Sequence, residues 1–286
     1  MSAKPRDQSD TPTPPTIYPP RDLARLAYAQ ACRELSDSAR CQVATTADSY
    51  AHPGEYVEAA RRLVNEADWA LTRAVVFERQ AGRSWATIAE ALGVSAEAAQ
   101  ERFGQAELDW KAALVRPLRP HRYGGYLVSA LPDGADGPED YVRWLDDWCA
   151  RHTETTDVAA YRPAEERAHQ VSAGLTAHRD PDLAVTGEIG LVLAQARQLA
   201  QQPGRQQDPG ELRAFAERKA RLLEAIAALG QDPDAAELAA GARRQLEALA
   251  DPSAPTTDRP LPDHPTGGAR PPQPGWPLRQ ETDRER

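Results

Sequence analysis

Residues Ser84 to Gly104, SWATIAEALGVSAEAAQERFG, constrain the local fold more tightly than any other stretch of this chain. Ser84 is a helix-capping residue type, its hydroxyl able to accept from a free backbone N–H of the first turn. Trp85, Ile88, Ala89 and Leu92 follow at offsets of three, four and seven, the one-sided spacing of a short amphipathic helix. Gly93 stands where that helix has to end, because left-handed backbone costs glycine little and most other residues more. Val94 is apolar and is expected to fill the angle between two helices, and Ser95 is a second cap. On the next helix Ala98, Ala99 and Phe103 form the expected inward face, leaving Ala96, Glu97, Gln100 and Glu101 outward. Small residues at Ala89 and Ala99 let the two helices cross closely and steeply.

This order resembles the helix-turn-helix units of sigma-factor region 4 and of LuxR-type regulators. There, I-A-x-x-L-G-V-S precedes a second helix with an arginine and a large apolar residue near its end. The matching residues are Ile88, Ala89, Leu92, Gly93, Val94, Ser95, Arg102 and Phe103, and the resemblance covers residues 84–104 alone. It implies sequence-specific binding of double-stranded DNA by a bacterial transcriptional regulator, with the helix from Ser95 in the major groove. Ser95, Ala96, Glu97 and Gln100 would then lie nearest base edges, with Arg102 on phosphate. Most such units work as dimers on paired half-sites, so a homodimer is implied too.

Recognition helices usually expose Arg, Lys, Asn or Gln. This one exposes Glu97 and Glu101, with Gln100 as its best base reader. A glutamate can accept from cytosine N4, and an acid in the first helical turn also suits the helix dipole. Two other readings therefore stand beside DNA binding. One is an ordinary helical hairpin broken by a glycine. The other is a protein-interaction adaptor in which the helix-turn-helix is only a fold and its partner is a protein.

Charge bears on the same choice. The chain carries a formal net charge of −9, whereas dedicated nucleic-acid binders are more often basic. Glu55 to Arg116 holds eight basic and ten acidic residues, so much of the negative excess lies elsewhere, notably in 131–160. The one basic run is Arg116-Pro-Leu-Arg119-Pro-His121-Arg122, whose prolines forbid a continued helix. Arg116, Arg119 and Arg122 are candidate phosphate contacts, and a solvated linker is the equal alternative. Tyr123 to Val128 suggests a small β-hairpin or wing.

The expected class is all-α: an N-terminal helix-turn-helix domain, a C-terminal helical region and disordered Pro-rich tails. Six prolines fall in residues 1–20 and nine in 251–286, a density that blocks regular structure while offering little to bury. Between these tails the expected parts are a helical domain at 21–116, a linker or wing at 117–137 and a helical domain at 138–250. Asp22 is the expected cap of a first helix carrying Leu23, Leu26, Ala27, Ala31 and Leu35. After His52-Pro53-Gly54, a long helix to about Gln80 carries the stripe Tyr56, Ala60, Leu63, Val64, Ala67, Leu71, Ala74 and Val75. Tyr141, Trp144, Leu145 and Trp148 form an aromatic stripe read as core, or else as a docking face. Helices over 183–201, 209–229 and 234–250 follow. The last two make an antiparallel hairpin, with Ala235, Leu238, Ala242, Leu246 and Leu249 on its seam. This C-terminal region is a candidate for dimerisation or for a protein partner.

Cys32, Cys41 and Cys149 are an odd, widely spaced set, which argues for reduced thiols and a cytoplasmic setting. Cys149 and His152 could share a metal but lack a second ligand pair, so Cys149 is read as a small core residue. No phosphate-binding glycine loop, nucleophile elbow or metal constellation is found, so neither enzyme activity nor a cofactor is expected. No apolar run approaches a membrane span, and the polar N-terminus is not read as a signal peptide. Three lysines among 34 basic residues read as a bacterial high-GC coding bias.

Overall fold

Proline opens four of the helices, at Pro20, Pro138, Pro181 and Pro209. It suits a first helical position because its φ is already helical and its missing N–H would have had no partner there. The computed structural model describes residues 15–45, 48–121, 126–152, 170–201, 208–230 and 234–250. Among these the protein is mostly α-helical. In chain order come α1 (Pro20–Cys41), α2 (Glu55–Gln80), α3 (Trp85–Leu92) and α4 (Ala96–Val115). Strands β1 (Leu118–Pro120) and β2 (Leu127–Ser129) follow. Then come α5 (Pro138–His152), α6 (Thr176–Arg179), α7 (Pro181–Ala200), α8 (Pro209–Leu229) and α9 (Ala235–Ala250).

The two strands are antiparallel, with Leu118 opposite Ser129 and Pro120 opposite Leu127. The His121 N–H extends the ladder by donating to the Tyr126 carbonyl at 2.9 Å, and the two rings stack. The sequence places a hairpin within Tyr123 to Val128; its first strand lies instead at Leu118–Pro120, in the basic run, and only Leu127 and Val128 of the expected stretch fall in a strand. The connection between the strands, 122–125, lies outside the described residues.

The main core draws on both sides of that hairpin. Leu26 of α1, Val76 of α2, Trp110 and Leu114 of α4, Leu145 of α5, Leu175 just before α6, and Ala184 of α7 share one apolar cluster. All described residues fall in one compact unit. Ile17 and Tyr18, in the stretch read as an N-terminal tail, pack on this cluster, and Tyr18 is 7% exposed. Residues 1–14 and 251–286 lie outside the described residues.

Asp22 differs from its expected part. Helix α1 begins behind Pro19 with no side-chain cap. The buried Asp22 carboxylate instead accepts from the Ala177 N–H at 2.8 Å, so it satisfies the first turn of a helix far along the chain. Gly134 makes another long-range fit. Its φ is +89°, and a Cβ there would sit 2.7 Å from the Leu26 carbonyl oxygen, so only glycine lets this loop lie against α1.

The aromatic stripe of α5 lies against α1. Leu145 is buried, the Trp148 indole N–H donates to Asp37 at 3.2 Å, and the Arg33 guanidinium stacks 3.8 Å from the Trp144 ring centroid. In the C-terminal hairpin, α8 packs on both α7 and α9. Ala235 and Ala242 of the expected α9 seam are buried, joined by Ala239, while Leu238 and Leu249 are exposed.

Arg218 of α8 ties this half to the rest. Its guanidinium engages the Glu188 carboxylate of α7 through two nitrogens and donates to the Leu114 carbonyl at 2.5 Å. That carbonyl belongs to the last turn of α4, whose final C=O groups have no partner within the helix.

Candidate nucleic-acid interface

Helices α3 and α4 and the turn between them form a capped helix-turn-helix. The Ser84 hydroxyl accepts from the Thr87 N–H at 3.1 Å, and the Ser95 hydroxyl from the Ala98 N–H at 3.2 Å. Gly93 has φ 67° and ψ 32°, the left-handed conformation that ends α3. The Val94 N–H donates to the Ala89 carbonyl and the Gly93 N–H to the Glu90 carbonyl, at 3.1 and 3.2 Å, which is the paired bonding of a Schellman turn.

The unit is closed by α2. Val75, Ile88 and Phe103 are buried together, with Leu71, Trp85 and Leu92 packed on them. Ala89 and Ala99 are 3% and 1% exposed, as a close crossing of small residues requires. Two apolar positions fall elsewhere than expected. Val94 is 48% exposed: the turn uses its backbone N–H and leaves the side chain outside. Ala98 is also exposed, so Ala99 and Phe103 carry the inward face of α4.

A polar cluster fixes the motif on α2. The Arg79 Nε donates to Glu107 Oε2 of α4 at 3.0 Å, and the Lys111 Nζ donates to Glu107 Oε1 at 2.7 Å. Arg79 also donates to the Arg83 carbonyl at 2.5 Å and lies over the Trp85 ring. Burial pushes the Glu107 carboxyl up, but Arg79 and Lys111 outweigh it and hold that carboxyl below the usual range. Arg79 and Glu107 stand 28 residues apart, and no local spacing in the sequence signals such a pair.

The residues expected at DNA are only partly gathered. Ser95, Ala96, Glu97 and Gln100 lie together at the start of α4, with Glu97 and Gln100 exposed. A bond from its own backbone N–H, then the Ser95 hydroxyl, holds the Glu97 carboxyl below the usual range. A shallow concavity of about 550 Å³ beside them is lined by Trp85, Glu97, Gln100, Glu101, Glu107 and Leu108, so its charges are acidic. Arg102 is exposed and its Nη2 donates to Asp68 of α2 at 2.5 Å. Arg116 donates to Glu211 of α8 at 2.5 Å. Arg119 sits on β1, opposite Val128, and lines a groove against α1, α2 and α4. Arg122 lies outside the described residues. The partners Asp68 and Glu211 had no signal in the sequence beyond being acidic.

Among the described residues no group of three or more His, Cys, Asp or Glu is placed to hold a metal ion. Within the same residues no helix is long and apolar enough to cross a membrane. Comparison of the chain with protein families, with curated proteins and with solved structures found no match.

Proposed function

We propose that this protein binds duplex DNA through α4, as a bacterial transcriptional regulator. The observation that carries the reading is the capped α3–turn–α4 unit buttressed by α2, with the first turn of α4 left open to solvent. A helix start presented in this way is what major-groove reading needs. Ser95, Ala96, Glu97 and Gln100 would face base edges, with Gln100 suited to adenine and Glu97 to cytosine N4. Arg102, Arg116, Arg119 and Arg122 would hold phosphates. The Arg102–Asp68 pair is more than half exposed on both sides, and exposed pairs contribute only about 0–1 kcal/mol. Exchanging Asp68 for a phosphate therefore costs little. A second copy would supply the second half-site.

Selection of bound duplexes from a random pool tests this reading directly. A recovered consensus, weakened binding in Gln100→Ala with relaxed preference at one position, and uniformly weakened binding in Arg102→Ala are expected. No enrichment above background would overturn it.

A second reading, a protein-interaction adaptor, is favoured by one observation. The outward face of α4 carries Glu97 and Glu101, while Arg102 and Arg116 have acidic partners inside the protein. In that case a basic partner protein, not DNA, would be lost on replacing Glu97 and Glu101 by Gln.

A further inference from the structure

Helices α1, α2 and α4 do not close on one another along their whole length. Ala27 and Ala31 of α1 face Ala106 and Ala113 of α4 across a groove of about 680 Å³, floored and rimmed by α2 and residues 130–133. Alanines at facing positions remove the side-chain volume that would otherwise fill this space.

Its chemistry is not that of a plain surface cleft. Trp69 and Trp110 supply aromatic walls, Trp69 largely exposed and Trp110 only 3% exposed. The Trp110 Nε1 and the Glu66 Oε2 are buried and have no hydrogen-bond partner. Other acids of the groove are engaged: Glu34 accepts from Gln30 at 2.6 Å, and Asp109 accepts from Gln105 at 2.8 Å. Arg73 is half-buried over the Trp69 ring, with burial lowering its pKa and the nearby Asp133 opposing that.

Glu66 and Arg73 are seven residues apart on α2, so they share a face about 10 Å apart along the axis. The groove thus offers an anion at one end, a cation at the other, and an indole N–H with aromatic surface between. A simple anion would meet Glu34, Glu66, Asp109 and Asp133, and a simple cation would meet Arg73 and Arg119. A single amino acid is too short to reach both ends, since one residue spans about 3.5 Å and two extended residues about 7 Å.

We propose that this groove binds a short zwitterionic peptide of two or three residues with apolar side chains. Its ammonium meets Glu66, its terminal carboxylate meets Arg73, a peptide carbonyl accepts from the Trp110 indole N–H, and an apolar side chain lies on Trp69. None of Glu66, Trp69, Arg73 and Trp110 is among the proposed DNA contacts, although Arg119, a proposed phosphate contact, also lines the groove.

The test titrates the full-length protein with a panel of dipeptides containing leucine or phenylalanine, following tryptophan fluorescence and calorimetric heat. Saturable binding is expected for part of the panel with Kd below about 1 mM. N-acetylation or C-amidation of the best binder is expected to weaken it at least about tenfold each. Glu66→Gln should abolish the effect of acetylation and leave that of amidation, and Arg73→Gln should do the reverse. No binding across the panel, or blocked forms binding as well as free ones, overturns the proposal. The comparison of free and blocked peptides on the wild-type protein decides it even if a variant fails to fold.

Discussion

Glu107 is the side chain on which the seating of the motif depends. It is nearly buried and answers two cations, Arg79 from α2 and Lys111 from its own helix. Glu107→Gln keeps the shape and removes the charge, and is expected to cost about 1–3 kcal/mol near neutral pH, the worth of hydrogen bonds to a charged group. The pH dependence has a definite sign. A carboxyl whose pKa is lower in the folded state contributes stability that is complete above its unfolded value, about 4.3. That contribution is lost as pH falls through the folded value. Thermal melts should therefore show the gap between wild type and Glu107→Gln closing below about pH 4.3. A gap independent of pH would contradict this. At Gly134 the argument is steric. Alanine there combines a positive φ with a Cβ pressed on the Leu26 carbonyl, and should lower stability in urea by at least about 2 kcal/mol. An unchanged midpoint would mean that the loop does not lie on α1.

Among the elements, α3, its turn and α4 were legible because their determinants are local. Two serine caps, one left-handed glycine and an apolar face at helical spacing all act within residues 84–104. Gly93→Ala tests the turn alone: no atom lies within 4 Å of an added Cβ, so the cost is backbone only, about 1–2 kcal/mol. A loss well above that in thermal melts would mean the turn is crowded. Other faces were harder to read, since periodicity reveals an apolar face but not what covers it. The stripe on α2 continues through Tyr56, Ala60, Val64 and Ala67, yet these are exposed. Burial in that helix falls at Val75, which lies on the expected stripe, and at Ala59, Ala70 and Val76, which do not. Val94 shows the same limit, since an apolar residue beside a Schellman turn can serve through its N–H alone.

At the scale of the whole molecule the deciding contacts join residues far apart in the chain, where no spacing rule reaches. Asp22 bonds the Ala177 N–H, and Arg218 bonds Glu188 and the last turn of α4. Because the Arg218–Glu188 pair is largely buried, Arg218→Ala leaves an unpaired carboxylate and is expected to cost about 3–5 kcal/mol in chemical denaturation. A loss below about 1 kcal/mol would place that pair among exposed ones. The fold class followed from helical periodicity and proline placement. The electrostatic character of the candidate interface did not, because Asp68 and Glu211 reach Arg102 and Arg116 only in the folded chain. The central claim is that α4 and its neighbouring arginines hold duplex DNA despite an acidic helix face. Its most direct test is duplex affinity as a function of salt. Four phosphate-binding arginines predict a log–log slope near −3.6 for each protomer bound, so one protomer's binding to a half-site at about 50 mM salt should weaken about a hundredfold by about 200 mM, and a dimer's on paired half-sites more steeply. A protein that fails to bind any duplex at about 50 mM salt, where phosphate contacts are strong, contradicts the account.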